Sequence, residues 1–428
     1  MSWPTLRLVK PGFAGRTAIL SLLCATALPP CRASSWDDFK AQMSSEGVTP
    51  TLVYDGDVGA NLAGGLKQGV FYAGAIQLQM LVDSKALFDT PGLSFYADIL
   101  NTHGEQPSEL VGDIQGVSNI AAAPYTRVYE AWAQYNLFET SILFGRFDLN
   151  TEFYRLSSSS LFLNSSFGIG PEFSQSGPAG ASVYPDTALG ARFAYKPEPN
   201  VVFRVAVMDG APVERPSSFG GVFSSKDGLL IMSELAFLTR PGVEPEPGAM
   251  RSLIGRMSSL PPYADKIAIG GWYYTTSLDD LSELSANGTP VMHRGSSGEY
   301  FLLDKRLFES GGAHINGFLQ VGLGDPRVDR VGSYIGFGLA ADGLNSSRPN
   351  DRMGIAIAIA KNGSHFQNAS SAAGTPYDSA ETALEFTYVT EATRWLAIQP
   401  DLQYVIHPGA TPGTPDALVF QIKIEASF

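Results

Sequence analysis

The last eleven residues of the sequence, 418–428, read LVFQIKIEASF and contain the pattern that decides the fold. Because successive side chains of a β-strand point to opposite faces, an alternation of apolar and polar residues predicts a strand with one apolar and one polar face. Four apolar side chains are expected to face lipid, namely Leu418, Phe420, Ile422 and Ile424. Three polar side chains between them are expected to face a lumen, namely Gln421, Lys423 and Glu425.

The same period of two recurs along the chain, for example over 70–82, 188–195 and 200–209. About sixteen segments carry it, near 50–60, 67–82, 91–101, 125–138, 140–149, 187–197, 200–209, 228–239, 264–277, 297–308, 314–324, 331–342, 350–361, 379–391, 394–406 and 416–428. An even number of strands places both ends of the chain on the periplasmic side of a bacterial barrel. Long connections are expected at 102–124, 150–186, 210–227, 278–296 and 362–378, and the Pro-rich stretch 240–263 breaks the alternation of long and short connections.

The composition separates two kinds of membrane protein. Hydrophobic residues make up 44% of the chain and charged residues only 17%, yet no run of about 18 apolar residues follows the first thirty positions. This excludes a bundle of membrane helices, whereas a membrane barrel hides its apolar residues in alternate positions. A soluble β-sandwich or propeller would share the alternation. The apolar face recurs along the whole chain, carries few basic residues and shows no repeat of propeller length, so the sequence favours an all-β, transmembrane antiparallel β-barrel of about sixteen strands.

Two segments precede the predicted barrel of residues 47–428. Residues 1–33 carry Arg7, Lys10 and Arg16 before an apolar run over 17–28, which is typical of a secretory signal peptide. Residues 34–46 place Trp36, Phe39 and Met43 at helical spacing after Ser35, which predicts a short periplasmic helix packed on the lower end of the barrel. Both cysteines, Cys24 and Cys31, lie in the signal peptide, so the mature chain is expected to have neither disulfides nor thiol chemistry.

Signatures of catalysis and of cofactor binding are scarce. The five histidines have no metalloprotease spacing, and the chain has no phosphate-binding loop, dinucleotide fingerprint or nucleophile elbow. We therefore expect neither an enzyme nor a cofactor. The formal net charge of −13 argues against general nucleic-acid binding.

Charged and aromatic residues on the predicted lumen phase suggest a pore constriction. The candidate substrate-binding residues are Glu130, Trp132, Arg146, Asp148, Arg192 and Arg204, whereas Tyr129 falls on the lipid phase. Arginine offers five donors to hydroxyls, and tryptophan stacks on sugar rings. The alternative is that these charges only pair across the wall. The Ser- and Phe-rich stretch 150–186 is expected to fold into the barrel, and an ordinary surface loop is the other possibility.

Seven segments stand out in order along the chain: Trp36–Gly65, Arg127–Phe153 with Tyr129-Glu130-Ala131-Trp132 and Gly145-Arg146, Leu161–Gly168, Gly270–Tyr273, Gly343-Leu344, Arg348–Arg352 and Gln399–Tyr404. In this order they resemble the carbohydrate-selective porins of the OprB family. The resemblance implies a sixteen-stranded barrel with inward-folded loops, a preference for sugars and a constriction lined by arginine, acidic and aromatic residues. Its motifs support only Glu130 and Arg146 among the candidates, and Gly298–Phe308 departs from the family pattern.

The function expected from these observations is passive diffusion of mono- or disaccharides across the outer membrane of a Gram-negative bacterium. A general or non-sugar porin is the alternative within the same class, and an outer-membrane hydrolase is the alternative in another. Expected partners are small sugars, membrane lipid and the barrel assembly machinery, which would recognise the terminal Phe428. The sequence leaves a monomer and a homotrimer equally open.

Overall fold

A computed structural model describes residues 33–212, 227–239 and 265–428. Sixteen strands in these residues form one antiparallel sheet that closes where β16 pairs with β1. The strands are β1 Val48–Ala63, β2 Gly69–Asp83, β3 Leu93–Gly104, β4 Tyr125–Leu137, β5 Thr140–Phe147, β6 Ala188–Glu198, β7 Val201–Asp209, β8 Leu229–Thr239, β9 Asp265–Leu284, β10 Pro290–Ser310, β11 Ala313–Leu323, β12 Val331–Asp342, β13 Arg352–Asn362, β14 Ala380–Thr393, β15 Leu396–Ile406 and β16 Ala417–Ser427. The predicted barrel of sixteen strands is confirmed.

The terminal strand shows why the alternation predicts the wall so well. Phe420 and Ile424 are exposed on the outside, and Leu418 and Ile422 are partly exposed there. Gln421, Lys423 and Glu425 are buried inside the barrel. The predicted lipid-facing and lumen-facing sets of this strand are therefore correct.

The N-terminal helix, α1, spans Ala33–Ser45 and contacts β1. It begins two residues before Ser35, and the rings of Trp36 and Phe39 stack at 5.5 Å. Within the described residues, four shorter α-helices lie in connections: α2 Ser84–Phe88, α3 Ser108–Val111, α4 Pro171–Ser174 and α5 Ser364–Ala372. None of the described helices is long and apolar enough to cross a membrane.

One predicted connection is wrong. The stretch 278–296 was expected to be a long loop, but β9 continues to Leu284 and β10 begins at Pro290, so only five residues join them. Leu278 pairs with His293 and Asp279 with Met292 in this extension. Backbone pairing continues here, but two register shifts, between Pro290 and Met292 and between Arg294 and Ser296, interrupt the period of two that would indicate a strand.

Three predicted segments lie partly or wholly outside the described residues. These are the signal peptide except for Ala33, most of the connection 210–227, and the Pro-rich stretch 240–263.

Candidate functional site: two inward loops and the passage between them

The loop between β5 and β6, residues 148–187, folds into the barrel as predicted. Carboxylates of the opposite wall accept its backbone N–H groups. Glu385 accepts those of Leu163 at 2.6 Å and Asn164 at 2.9 Å, and Asp304 accepts that of Ser158 at 3.0 Å. A buried N–H group without a partner is costly, so these acids allow an irregular segment to occupy the lumen.

The loop between β3 and β4, residues 105–124, is held inside the barrel in the same way. Glu381 accepts the backbone N–H groups of Ile114 at 2.9 Å and Gln115 at 3.1 Å. The side-chain amides of Gln403 and Gln421 donate to the carbonyl of Val117 at 2.8 and 2.6 Å. Two loops rather than one therefore narrow the lumen.

The two loops leave a pair of cavities. The periplasmic cavity has a volume of about 760 Å³ and reaches the tight turns at 138–140 and 196–199, at the end of the barrel where the chain termini lie. The extracellular cavity has a volume of about 250 Å³ and is bounded by the two inward loops. Four residues line both cavities, namely Ser165, Ile169, Val183 and Tyr184. We call this set the passage, since it marks the boundary between the cavities.

Tyr184 is the aromatic residue of the passage. Its hydroxyl donates to the carbonyl of Ile120 at 2.6 Å, which ties one inward loop to the other. Its ring meets Tyr129 edge to face, with centroids 5.9 Å apart. Burial raises the pKa of the Tyr184 phenol well above its usual value, with nearby Asp55 adding to the rise, so the hydroxyl stays a donor at neutral pH.

The wall of the periplasmic cavity carries a network of ion pairs. Arg192 Nη2 lies 2.6 Å from Glu152 Oε1, and Arg204 Nε lies 3.2 Å from Glu152 Oε2. Arg192 also donates to Gln134 Oε1 at 2.8 Å and to the carbonyl of Ser141 at 3.2 Å. Glu152 belongs to the inward loop and both arginines to the wall, so the network holds the loop to β6 and β7.

Charge is balanced around the periplasmic cavity. Of the described residues that line it, five are acidic (Asp55, Glu139, Asp148, Glu152 and Glu198) and five are basic (Arg155, Arg192, Lys196, Arg204 and Lys423). Balanced charge gives strong local fields without a large net potential. Such a lining suits uncharged polar solutes better than ions of either sign.

The structure brings together three of the six predicted site residues. Asp148, Arg192 and Arg204 line the periplasmic cavity. Glu130 points inward behind it, where Oε1 accepts the backbone N–H of Asp148 at 2.7 Å. Trp132 is buried against Tyr96, with ring centroids 5.2 Å apart, and does not line either cavity. The structure thus places Trp132 away from these two cavities, and its contact with a solute stays a prediction.

Two predicted side-chain directions are wrong. Arg146 pairs with Ala131 and Leu189 on the outward phase of β5, which it shares with the exposed Ile142 and Phe144, and its guanidinium donates to the carbonyl of Thr187. Arg146 and Asp148 are two positions apart and would share a face if the strand continued, but β5 ends at Phe147, so Asp148 turns inward while Arg146 does not.

Tyr129 points inward because of a β-bulge. Asp98 pairs with Glu130 and Ile99 with Val128, so Tyr129 is an extra residue in β4. An extra residue shifts the phase of the strand, and both Tyr129 and Glu130 are buried inside. Tyr129 lines the periplasmic cavity and donates through its hydroxyl to Asp148.

Other lining residues were not among the predicted site residues. Glu152 and the four passage residues come from the loop 148–187, where no strand period indicates direction. The sequence feature that could have indicated them is the composition of the loop, which is too apolar for a loop that lies in solvent.

Comparison with known proteins agrees with this architecture. The profile of a family described as "Carbohydrate-selective porin, OprB family" matches residues 67–428. A protein named Porin B from Pseudomonas aeruginosa is 23% identical over 433 residues, covering 92% of this chain and 90% of that protein. A high-pH structure of OprB from Pseudomonas putida superposes with a TM-score of 0.76 at 20% identity, covering 92% of this chain and 97% of that one. A low-pH structure of that protein superposes with a TM-score of 0.57 at 16% identity, covering 93% and 98% of the two chains.

Proposed function

The chain belongs to the carbohydrate-selective porin (OprB) family, and from this premise we propose that uncharged mono- and disaccharides diffuse passively through its barrel by way of the passage. The family is one of channels rather than enzymes, and this protein is a sugar porin of the Gram-negative outer membrane. The proposal concerns which solutes cross and which residues they meet.

The observation that carries the proposal is the pair of cavities with a shared lining. The periplasmic cavity, at about 760 Å³, is of the size that proteins use for small organic ligands. Four side chains of modest size separate it from the extracellular cavity. A solute that crosses the lumen by this route must contact them.

The balanced lining of the periplasmic cavity supports a neutral, hydroxyl-rich solute. Asp148, Arg192 and Arg204 contribute to this lining as members of ion pairs and hydrogen bonds. Acceptors such as Glu152 and Asn150 lie beside them. Binding in a channel must stay weak enough for release, and scattered single hydrogen bonds meet that requirement better than one tight site.

Tyr184 is the residue of the passage that we propose contacts the sugar directly. Apolar faces of sugar rings pack on aromatic rings, and such a contact contributes on the order of 1 kcal/mol. Its loss corresponds to a roughly fivefold weaker association, since about 1.4 kcal/mol is tenfold.

The experiment is sugar block of ion current through the purified protein in planar bilayers. Neutral mono- and disaccharides should reduce the current in a saturable way, whereas a charged sugar acid of the same size should block less. Tyr184→Ala should weaken the block about fivefold, and Tyr184→Phe should retain it because the ring remains. The matched control is Tyr195→Ala, which removes a tyrosine from the exposed outer face of β6.

Three outcomes would contradict the proposal. Equal block by neutral and charged sugars would indicate a general porin. An unchanged block in Tyr184→Ala would place the sugar elsewhere in the lumen. Cleavage of the sugars during the recording would indicate an enzyme.

A further inference from the structure

A cluster of histidine and carboxylate side chains lies outside the pore. It sits at the end of the barrel opposite the chain termini, where the hairpin of β9 and β10 rises above the wall. The loop 363–379 leans on this hairpin, and its helix α5 contacts β9. The cluster joins the two elements and takes no part in the passage described above.

Asp280 is the centre of the cluster, and its side chain is fully buried. Its Oδ1 accepts the backbone N–H groups of Ser282 at 2.8 Å and Glu283 at 2.7 Å. His365 Nδ1 lies 2.8 Å from the same oxygen, and His293 Nε2 lies 2.7 Å from Oδ2. The carboxylate is thus fixed by its own turn and faces an imidazole on each side.

We propose that Asp280, Glu283 and His365 bind a divalent transition-metal ion of the Zn²⁺ type, and that His293 positions Asp280 for it. One ligand atom from each of the three residues lies within 4.8 Å of the others. His293 touches Asp280 from the opposite side, as the partners that orient metal-binding carboxylates do.

The donor set decides the class of metal. One imidazole nitrogen with two carboxylate oxygens suits Zn²⁺ and its neighbours in the first transition row, whereas Ca²⁺ and Mg²⁺ prefer oxygen alone. Zinc binds nitrogen and oxygen at about 2.0–2.2 Å, which puts tetrahedral ligand atoms roughly 3.3 Å apart. The gap between His365 and Asp280 needs to open by about half an ångström, well within the freedom of a side chain that is not fully buried.

Nearby charge leaves the cluster attractive to a cation. Arg327 lies close enough to interact electrostatically with Asp280 and Glu283. Its guanidinium is held by Asp325, with Nε and Nη2 at 2.9 and 2.7 Å from the two carboxylate oxygens. The charges of Arg327 and Asp325 therefore offset one another, and the negative charges of Asp280 and Glu283 are available to bind a divalent cation.

Binding would link two extracellular elements. Asp280 and Glu283 belong to β9, whereas His365 belongs to α5, 85 positions from Asp280 along the chain. A shared ion would fix the loop 363–379 on the hairpin and raise the stability of the protein by RT ln(1 + [L]/Kd), where [L] is the free concentration of the ion.

The test is zinc binding by the full-length protein in detergent, after removal of metals with a chelator. Calorimetric titration with ZnCl₂ at pH 7.5 should show one saturable site per barrel, and zinc should raise the unfolding temperature. His365→Ala should abolish saturable binding, and His293→Ala should weaken it by about 10- to 100-fold. Both changes remove surface-accessible imidazoles, and a heat-modifiable band on gels will establish that each variant is folded.

The control is His314→Ala. His314 is about as exposed as His365, and its Nδ1 lies 2.7 Å from Asp342 Oδ1 with Glu309 at 3.8 Å from its Nε2. Among the described residues, however, His314 does not belong to a group of three ligand atoms that all lie within 4.8 Å of one another. Zinc binding should be unchanged in this variant. An absence of saturable binding, a loss that is equal in His314→Ala and His365→Ala, or binding of Ca²⁺ alone that ignores the His365 substitution would each overturn the proposal.

Discussion

Replacing Arg192 by alanine tests whether the arginines of the lumen contact the sugar or hold the inward loop. The guanidinium makes five hydrogen bonds, to Glu152 twice, to Gln134, and to the carbonyl and hydroxyl of Ser141. A guanidinium has five N–H groups, so none is left for a sugar. We therefore expect Arg192→Ala to act through the position of Glu152 and its loop.

The free energy lost in Arg192→Ala follows from the burial of the ion pair between Arg192 and Glu152. The Arg192 side chain is 2% exposed and that of Glu152 is 9% exposed. Removal of one partner of a buried pair costs about 3–5 kcal/mol. Arg204 remains 3.2 Å from Glu152 and the site borders a cavity, so the lower end, about 3 kcal/mol, is expected. That is a change of roughly a hundredfold in the ratio of docked to undocked loop.

The assay combines a double-mutant cycle with single-channel recording. Arg192→Ala, Glu152→Ala and the double variant are unfolded by urea in detergent, and a coupling energy of at least about 1.5 kcal/mol is expected. The single variants should show larger and noisier currents. Arg192→Lys should not restore the low current noise, because the ammonium of lysine cannot make the several hydrogen bonds of the planar guanidinium. Arg306→Ala, which breaks a partly exposed pair with Glu309 at 3.2 Å, serves as the matched control.

Two results would refute this reasoning. A coupling energy below about 0.5 kcal/mol would mean that the pair behaves like a surface ion pair. Sugar block that disappears in Arg192→Ala while conductance and current noise stay unchanged would mean that Arg192 contacts the sugar itself.

Three further results are expected. Glu385→Ala removes the acceptor of two loop N–H groups, so conductance in planar bilayers should rise, and an unchanged conductance would show that Glu385 does not hold the loop 148–187. Burial raises the pKa of Glu172 in that loop to about 7, so the contribution of Glu172 to stability in urea should be full below pH 4.5 and be lost as the pH rises through 7. Glu172→Gln should therefore make the fall of stability with pH in this range shallower, and an unchanged fall would contradict this expectation. Deletion of Phe428, whose ring stacks on Trp395 at 5.7 Å, should lower the yield of folded barrel, whereas Phe428→Tyr should not; normal yields after deletion would count against its proposed role in assembly.

The wall of the barrel could be predicted from the sequence because one physical rule governs each position of a strand. Lipid outside and polar groups inside select alternate residues, as β16 shows from Leu418 to Glu425. The rule fails where the count of two is interrupted. The bulge at Tyr129 and the strand end at Phe147 each reversed an inferred direction, since neither interruption is visible in the alternation itself.

The passage could not be predicted because its residues come from a loop. The position of Tyr184 depends on a hydrogen bond to Ile120, a residue of the other inward loop. Such contacts join residues more than sixty positions apart, and the alternation of apolar and polar residues within a strand does not predict them. The same holds for Asp280 and His365, which meet only because α5 folds back on β9.

Several acidic residues of the chain hold the two inward loops and do not set the selectivity of the pore. Three carboxylates are buried inside the barrel, and their oxygens accept backbone N–H groups of the two inward loops. They belong to Glu381, Glu385 and Asp304. A carboxylate in that role is already satisfied and faces protein, so it contributes little to the field that a solute meets. The field at the passage is set instead by the lining of the periplasmic cavity, where acidic and basic residues are equal in number. The net charge of −13 therefore does not predict a cation-selective channel, and a porin can be strongly acidic while its lumen stays suited to neutral sugars.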